Sequence, residues 1–277
     1  MSSLCIKTNN KNILEYLQNE FSSFNMLNTF YSKKEFKNYK NIIIHYTGID
    51  KELFYTKLAT ILSYLVIDYF ETNIIKQILY SNYFYFEESE FNTILKLCEE
   101  NLYDSSEFSL PNRQLLLFDI FYEYISNHHS IVLSGFINFR LSKYKKLIEE
   151  LVDLSVNEFI IEREYLEFIS LLKLYINSQP SSNTIIHVIS FENKILLLDD
   201  TMKKISIDKS SLKAKYLSDV SFSNNDYILN TLLTLLPKKI HLHIISASGN
   251  SEFLNTLQLI FENRIDICYD CNICSMY

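Results

Sequence analysis

A chain of 277 residues with 48% hydrophobic and 21% charged side chains is long enough to bury a sizeable core and too apolar to be disordered, so one large domain or two smaller ones are expected. A formal charge of −7 excludes the generally basic surface by which proteins coat nucleic acid or anionic membranes. Three glycines and three prolines leave few tight turns and favour helices joined by short connections.

The chain opens with alternation over residues 3–8, which reads as a strand, and Ile13, Leu14, Leu17 and Phe21 then recur at helical spacing. Strands are expected at 26–32 and 41–46, separated by the polar stretch SKKEFKNYK, giving an N-terminal α+β unit. Asp50 is placed to cap a helix that starts KELFYTKL and continues through Leu79 with apolar residues around much of its circumference. Helices over about 87–103 and 111–127 follow, the second with Pro111 in its first turn, where a missing N–H costs nothing.

From Phe136 to Asn177 runs the longest periodic stretch, which unbroken would reach about 60 Å, so a kink or two helices is expected. It is basic at its start, with Arg140, Lys143, Lys145 and Lys146, and acidic beyond Glu149. That order opposes the helix dipole and reads as a solvated face with (i, i+4) pairs, or as a partner-binding face. The segment NSQPSSN at 177–183 is the one polar Pro/Ser break, and a boundary there divides the chain into a mostly helical domain, 1–178, and a small α/β domain, 184–277. In the latter, TIIHVISF, KILLLDD and KKISI read as strands. A helix near 225–236, the strand KIHLHII, the helix SEFLNTLQLIFEN and the strand RIDIC complete it. The fold class is therefore α+β and mostly helical: an N-terminal α+β unit, a helical bundle with one long helix, and a C-terminal α/β unit with a parallel strand pair.

Five cysteines, an odd number with three crowded near the C-terminus, do not make the framework of a small secreted domain and point to a reducing compartment. The opening MSSLCIKTNNKN lacks the basic and apolar regions of a signal peptide, and the most apolar run, Leu58 to Phe70, is too short to span a bilayer and carries Asp68. A cytoplasmic protein without a membrane span is expected.

No catalytic residues emerge. Gly48, Gly135 and Gly249 stand too far apart for a phosphate-cradling loop or dinucleotide fingerprint, and neither a nucleophile elbow nor a paired-histidine zinc motif is present. SSLK at 210–213 is too short a match to count, and the carboxylate pairs Asp199/Asp200 and Glu158/Glu162 are explained by a turn and a solvated helix face. His128 and His129 fall in a polar connection. Lys33, Lys34, Lys37 and Lys40, interleaved with Tyr31, Phe36 and Tyr39, are the nearest approach to a basic and aromatic nucleic-acid surface. In an acidic chain, and in a connecting loop, they do not predict nucleic-acid binding.

The chemically informative segment is the tail CYDCNIC. Its spacing lets the thiolates of Cys268, Cys271 and Cys274 converge on one metal, either zinc or an iron–sulfur cluster. A fourth ligand must come from elsewhere: His243 or His241, which share one face of a predicted strand, or Cys5, or a second chain.

Several blocks together, LVIDYFE with YFYFEE at 65–71 and 83–88, GFINFRLSKYKKLIEELVD at 135–153, NEFIIEREYLEFISLLK at 157–173, and the terminal LPKKIHLHI and RIDICYDCNIC, resemble the YtxC-like family of sporulation proteins of endospore-forming bacteria. The resemblance implies a sporulation setting and brings no catalytic residues to carry over. With no catalytic constellation in view, a non-enzymatic interaction or assembly protein with a protein partner is expected; the alternative is a metal or iron–sulfur protein using the terminal cysteines.

Overall fold

The structure, a computed structural model, describes residues 2–35, 40–104, 106–192, 194–207, 222–245, 250–268 and 270–276. The chain forms two compact units, Met1–Ile161 and Glu162–Tyr277, each built around its own hydrophobic core.

The first unit opens with β1 (Ser2–Thr8), α1 (Lys11–Ser22), β2 (Thr29–Glu35) and β3 (Lys40–Tyr46). Alternation along β1 buries Leu4 and Ile6, and the Asn10 side chain caps α1 by accepting the N–H groups of Asn12 and Ile13. With β4 (Ser130–Val132) these strands form a sheet of order β2-β3-β1-β4, antiparallel except for the β1/β4 pair. The strand expected at 26–32 lies further along the chain. Pairing of Thr29 with Tyr46 and of Glu35 with Lys40 carries β2 into the polar stretch, because ladder hydrogen bonds need no apolar side chain. Lys33 and Lys34 are exposed strand residues and Lys40 starts β3, so they are not loop residues; Phe36, Lys37 and Tyr39 lie outside the described residues.

Asp50 accepts the Leu53 N–H and caps α2 (Lys51–Tyr69), but this helix does not continue through Leu79. It breaks at Phe70, and α3 (Glu71–Asn82) leaves at 50°. Glu71, the first residue of α3, is thereby aimed inward. Its carboxylate accepts hydrogen bonds from the Arg113 guanidinium and the Tyr144 hydroxyl, all three residues being buried. Arg113 belongs to α5 (Leu110–Asn127), which follows α4 (Glu88–Asp104). The long periodic stretch divides at Leu141 into α6 (Leu133–Arg140) and α7 (Ser142–Ser178), and Tyr144 stands in the first turn of α7. No single helix among the described residues is long and apolar enough to cross a membrane; α2 and α3 meet that test only as a bent pair, and their Phe54, Leu58, Leu62, Val66 and Ile75 are buried in the first core. The NSQPSSN break ends α7, whereas the compact units divide inside that helix, after Ile161.

The second unit adds to the rest of α7 the elements β5 (Ile185–Phe191), β6 (Lys194–Leu198), α8 (Asn224–Leu235), β7 (Lys239–Ile244), α9 (Ser251–Phe261) and β8 (Ile265–Cys268). A reciprocal Ser223/Asp226 capping box starts α8, and Leu236, in left-handed conformation before Pro237, ends it. The sheet order is β6-β5-β7-β8, with β5/β6 antiparallel and both β5/β7 and β7/β8 parallel. KKISI contributes only a bridge, Lys204 opposite Leu198, reached through a turn in which the Asp199 carboxylate accepts the N–H groups of Thr201 and Lys203. The helices lie on one face, where Ile169 and Ile176 of α7, Ile228 and Leu232 of α8, and Leu254, Leu257 and Phe261 of α9 pack with Ile186, Val188, Ile240 and Leu242. Because successive strand residues alternate between faces, His187, His241, His243, Asp266 and Cys268 all belong to the opposite face.

Candidate metal centre

Two candidate ligand positions are fixed by strand register. In the parallel β7/β8 pair His243 stands opposite Cys268, so a side chain from the middle of the unit meets the first cysteine of the tail at ladder spacing. The tail then folds back: the Ser275 N–H bonds to the Cys271 carbonyl and the Met276 N–H to that of Ile273, and a short 3₁₀ turn at Cys274–Met276 closes the segment. This return brings Cys271 and Cys274 beside His243. The donor atoms of His243, Cys268, Cys271 and Cys274 all lie within 4.8 Å of one another.

The individual separations define the shape of the cluster. Cys274 Sγ lies 3.8 Å from Cys268 Sγ and 3.6 Å from Cys271 Sγ, and His243 Nδ1 lies 3.4 Å from Cys274 Sγ and 3.5 Å from Cys271 Sγ. With Zn–S bonds of about 2.3 Å and Zn–N bonds of about 2.0 Å, a regular tetrahedron spaces its sulfurs about 3.8 Å apart and its sulfur and nitrogen about 3.6 Å apart. These four edges match the spacings of a tetrahedral site, and the remaining two lie within 4.8 Å. In an iron–sulfur cube each thiolate binds a different iron, which spreads the thiolates more widely than this. Four protein donors also fill a tetrahedral shell and leave no position for substrate, which is the pattern of a structural rather than a catalytic centre.

The donors differ in their electrostatics. Burial, reinforced by the neighbouring imidazoles, lowers the pKa of His243, which is 2% exposed, and also that of His187. The shift favours the neutral form of His243, which is the form that a metal requires. The main-chain N–H of Cys274 holds the Cys271 thiol below its ordinary value, while burial and hydrogen bonding that engages its protonated form with the other two sulfurs push Cys274 up to about 11. A bound cation reverses that second shift by stabilising the thiolate.

Of the residues singled out in the sequence, Cys268, Cys271, Cys274 and His243 come together. His241 shares their face but points its Nδ1 toward Asp266, 4.0 Å away, and lies outside the cluster. Cys5 belongs to β1 of the first unit. Asp199 holds its turn, and Glu158 accepts a hydrogen bond from Asn101; SSLK at 210–213 lies outside the described residues. Sequence reasoning missed His187 of β5. Its Nδ1 lies 3.0 Å from His243 Nε2, a contact that depends on the parallel β5/β7 register and that no local spacing announces. Among the described residues this is the only set of three or more His, Cys, Asp or Glu side chains grouped closely enough to hold a metal ion.

Fold and site together define a two-unit α+β protein whose C-terminal unit carries a compact cluster of three cysteines and one histidine. The chain belongs to the YtxC-like family, whose model matches residues 56–266. The matched region includes His187, His241 and His243 and ends before Cys268. No curated protein and no solved structure matches the chain.

Proposed function

We propose that this protein is a non-enzymatic, metal-binding member of its family that holds one structural zinc ion in its C-terminal unit. The observation that carries the proposal is the convergence of His243 Nδ1 and three cysteine sulfurs within 4.8 Å, at the edge lengths of a zinc tetrahedron. The ion would tie the segment that follows β8 to the sheet that bears His243. Metal content of the full chain tests this: about one zinc per chain is expected, lost when Cys271 and Cys274 are changed to Ser.

A protein partner in the cytoplasm of a sporulating cell completes the reading. The sporulation setting is supported by family membership. The partner is supported by Leu166, Phe168, Leu171 and Leu174 of α7, which are 50–67% exposed, a concentration of apolar surface that single scattered residues do not make. Affinity capture of the tagged chain from sporulating cells, compared with a variant in which these four residues are Ser, tests this half of the proposal. A partner retained by both would contradict it.

A further inference from the structure

The imidazole of His243 has two nitrogens and the cluster uses one. Nδ1 faces the sulfurs of Cys271 and Cys274, and Nε2, on the other side of the ring, meets Nδ1 of His187 at 3.0 Å. The two ring planes are 23° from parallel and their centroids 5.2 Å apart, an end-to-end separation that suits an N–H···N bond between the rings. Only one proton occupies that bond, and where it sits decides what His243 can do. If His187 donates, the proton of neutral His243 is on Nδ1, aimed at the thiolates, and the ring cannot ligate. If His243 donates from Nε2, its Nδ1 lone pair is free for a metal, and neutral His187 carries its own proton on Nε2.

We infer that His187 is a positioning residue of the metal centre, accepting the Nε2–H of His243 and so fixing both the tautomer and the ring orientation that present Nδ1 to the metal. The inference rests on the metal reading above and adds the residue that determines how tightly the ion is held. Two further observations support it. His243 is 2% exposed, so its Nε2–H has little access to water and would lose most of its hydrogen bonding without His187. Both histidines stand on adjacent parallel strands, with His187 in register with His241 and Ile189 in register with His243, so the backbone that carries the acceptor is held by the sheet. Hydrogen-bond partners of this kind on ligating histidines raise metal affinity by about 10–100-fold.

The test compares zinc affinity, by competition with a chromophoric chelator, among the full-length protein, His187→Phe and His187→Asn. Asn places an amide oxygen near the site of the lost Nδ1. His187→Phe should bind zinc about 10–100-fold more weakly, and His187→Asn should recover much of the loss. Nitrogen-15 NMR of the zinc-bound unsubstituted protein should show the His243 proton on Nε2, within a hydrogen bond. Equal affinity in all three proteins overturns the role of His187 and leaves the metal reading intact, whereas a proton residing on His187 Nδ1 in the bond to His243 overturns both the role of His187 and ligation by His243. Failure of the unsubstituted protein to bind zinc overturns the metal reading itself. The NMR assignment decides the matter if the Phe variant does not fold.

Discussion

His243 and Cys268 face one another in register across the parallel strands β7 and β8, so the separation of two candidate ligands 25 positions apart in sequence is set by sheet geometry. His241, two residues earlier on the same face, is opposite Asp266. This distinguishes two histidines that the sequence leaves equivalent. Replacing His243 with Ala should abolish stoichiometric zinc binding, whereas His241→Ala should leave it within a few-fold, as measured by chelator competition. Equal losses would contradict the register argument.

Removing the metal should act locally. A ligand that binds only the folded state stabilises it in proportion to the logarithm of its concentration over Kd, and here that stabilisation belongs to the second unit. Hydrogen exchange after chelation should accelerate over residues 265–276 and in β7, with amides of the first core, such as those of Leu58 and Leu62, unchanged.

The buried trio of the first unit is sensitive in a different way. The Arg113 guanidinium bonds to Glu71 and to the Phe108 carbonyl, and its replacement by Leu would leave a buried carboxylate without its cation. A loss of about 3–5 kcal/mol is expected for Arg113→Leu. Tyr144→Phe, which removes one hydrogen bond to a charged group, should cost about 1.5–3 kcal/mol. Urea unfolding followed by circular dichroism measures both. The double change Glu71→Leu with Arg113→Leu should be less harmful than Arg113→Leu alone, because no charge is then stranded.

Met202 sits at φ 62° in the turn after β6 and is 46% exposed. The left-handed region is unfavourable for a side chain with a Cβ, and little packing is at stake. Met202→Gly should therefore raise stability by about 0.5–1 kcal/mol after the greater freedom of glycine in the unfolded chain is deducted. A drop in the thermal midpoint would contradict this.

How far the sequence reveals the fold and the site can be judged at particular residues. Helix and strand periodicity suffices for β1, α1, α4, α5 and the α8–β7–α9–β8 order, because each buries one face of a local pattern. The break at Phe70 is invisible to periodicity, since apolar spacing runs through it. Its physical correlate is Glu71, held by partners 42 and 73 residues away. Likewise β2 extends into Ser32–Glu35 through main-chain pairing that composition does not record. The three cysteines are legible as ligands from their spacing, the fourth ligand only as a choice among His243, His241 and Cys5. The β7/β8 register sets His243, and not His241, beside Cys268, and the contact of His187 with His243 arises across β5 and β7, where no local spacing records it.

The most direct test of the central claim is the metal content of the full chain purified under reducing conditions, set beside a variant with Cys268, Cys271 and Cys274 changed to Ser. The account predicts about one zinc per chain in the first and none in the second, with cobalt substitution giving the visible absorption of a tetrahedral thiolate site. A folded, unsubstituted protein that holds no zinc, or that holds the same amount as the variant, would contradict it.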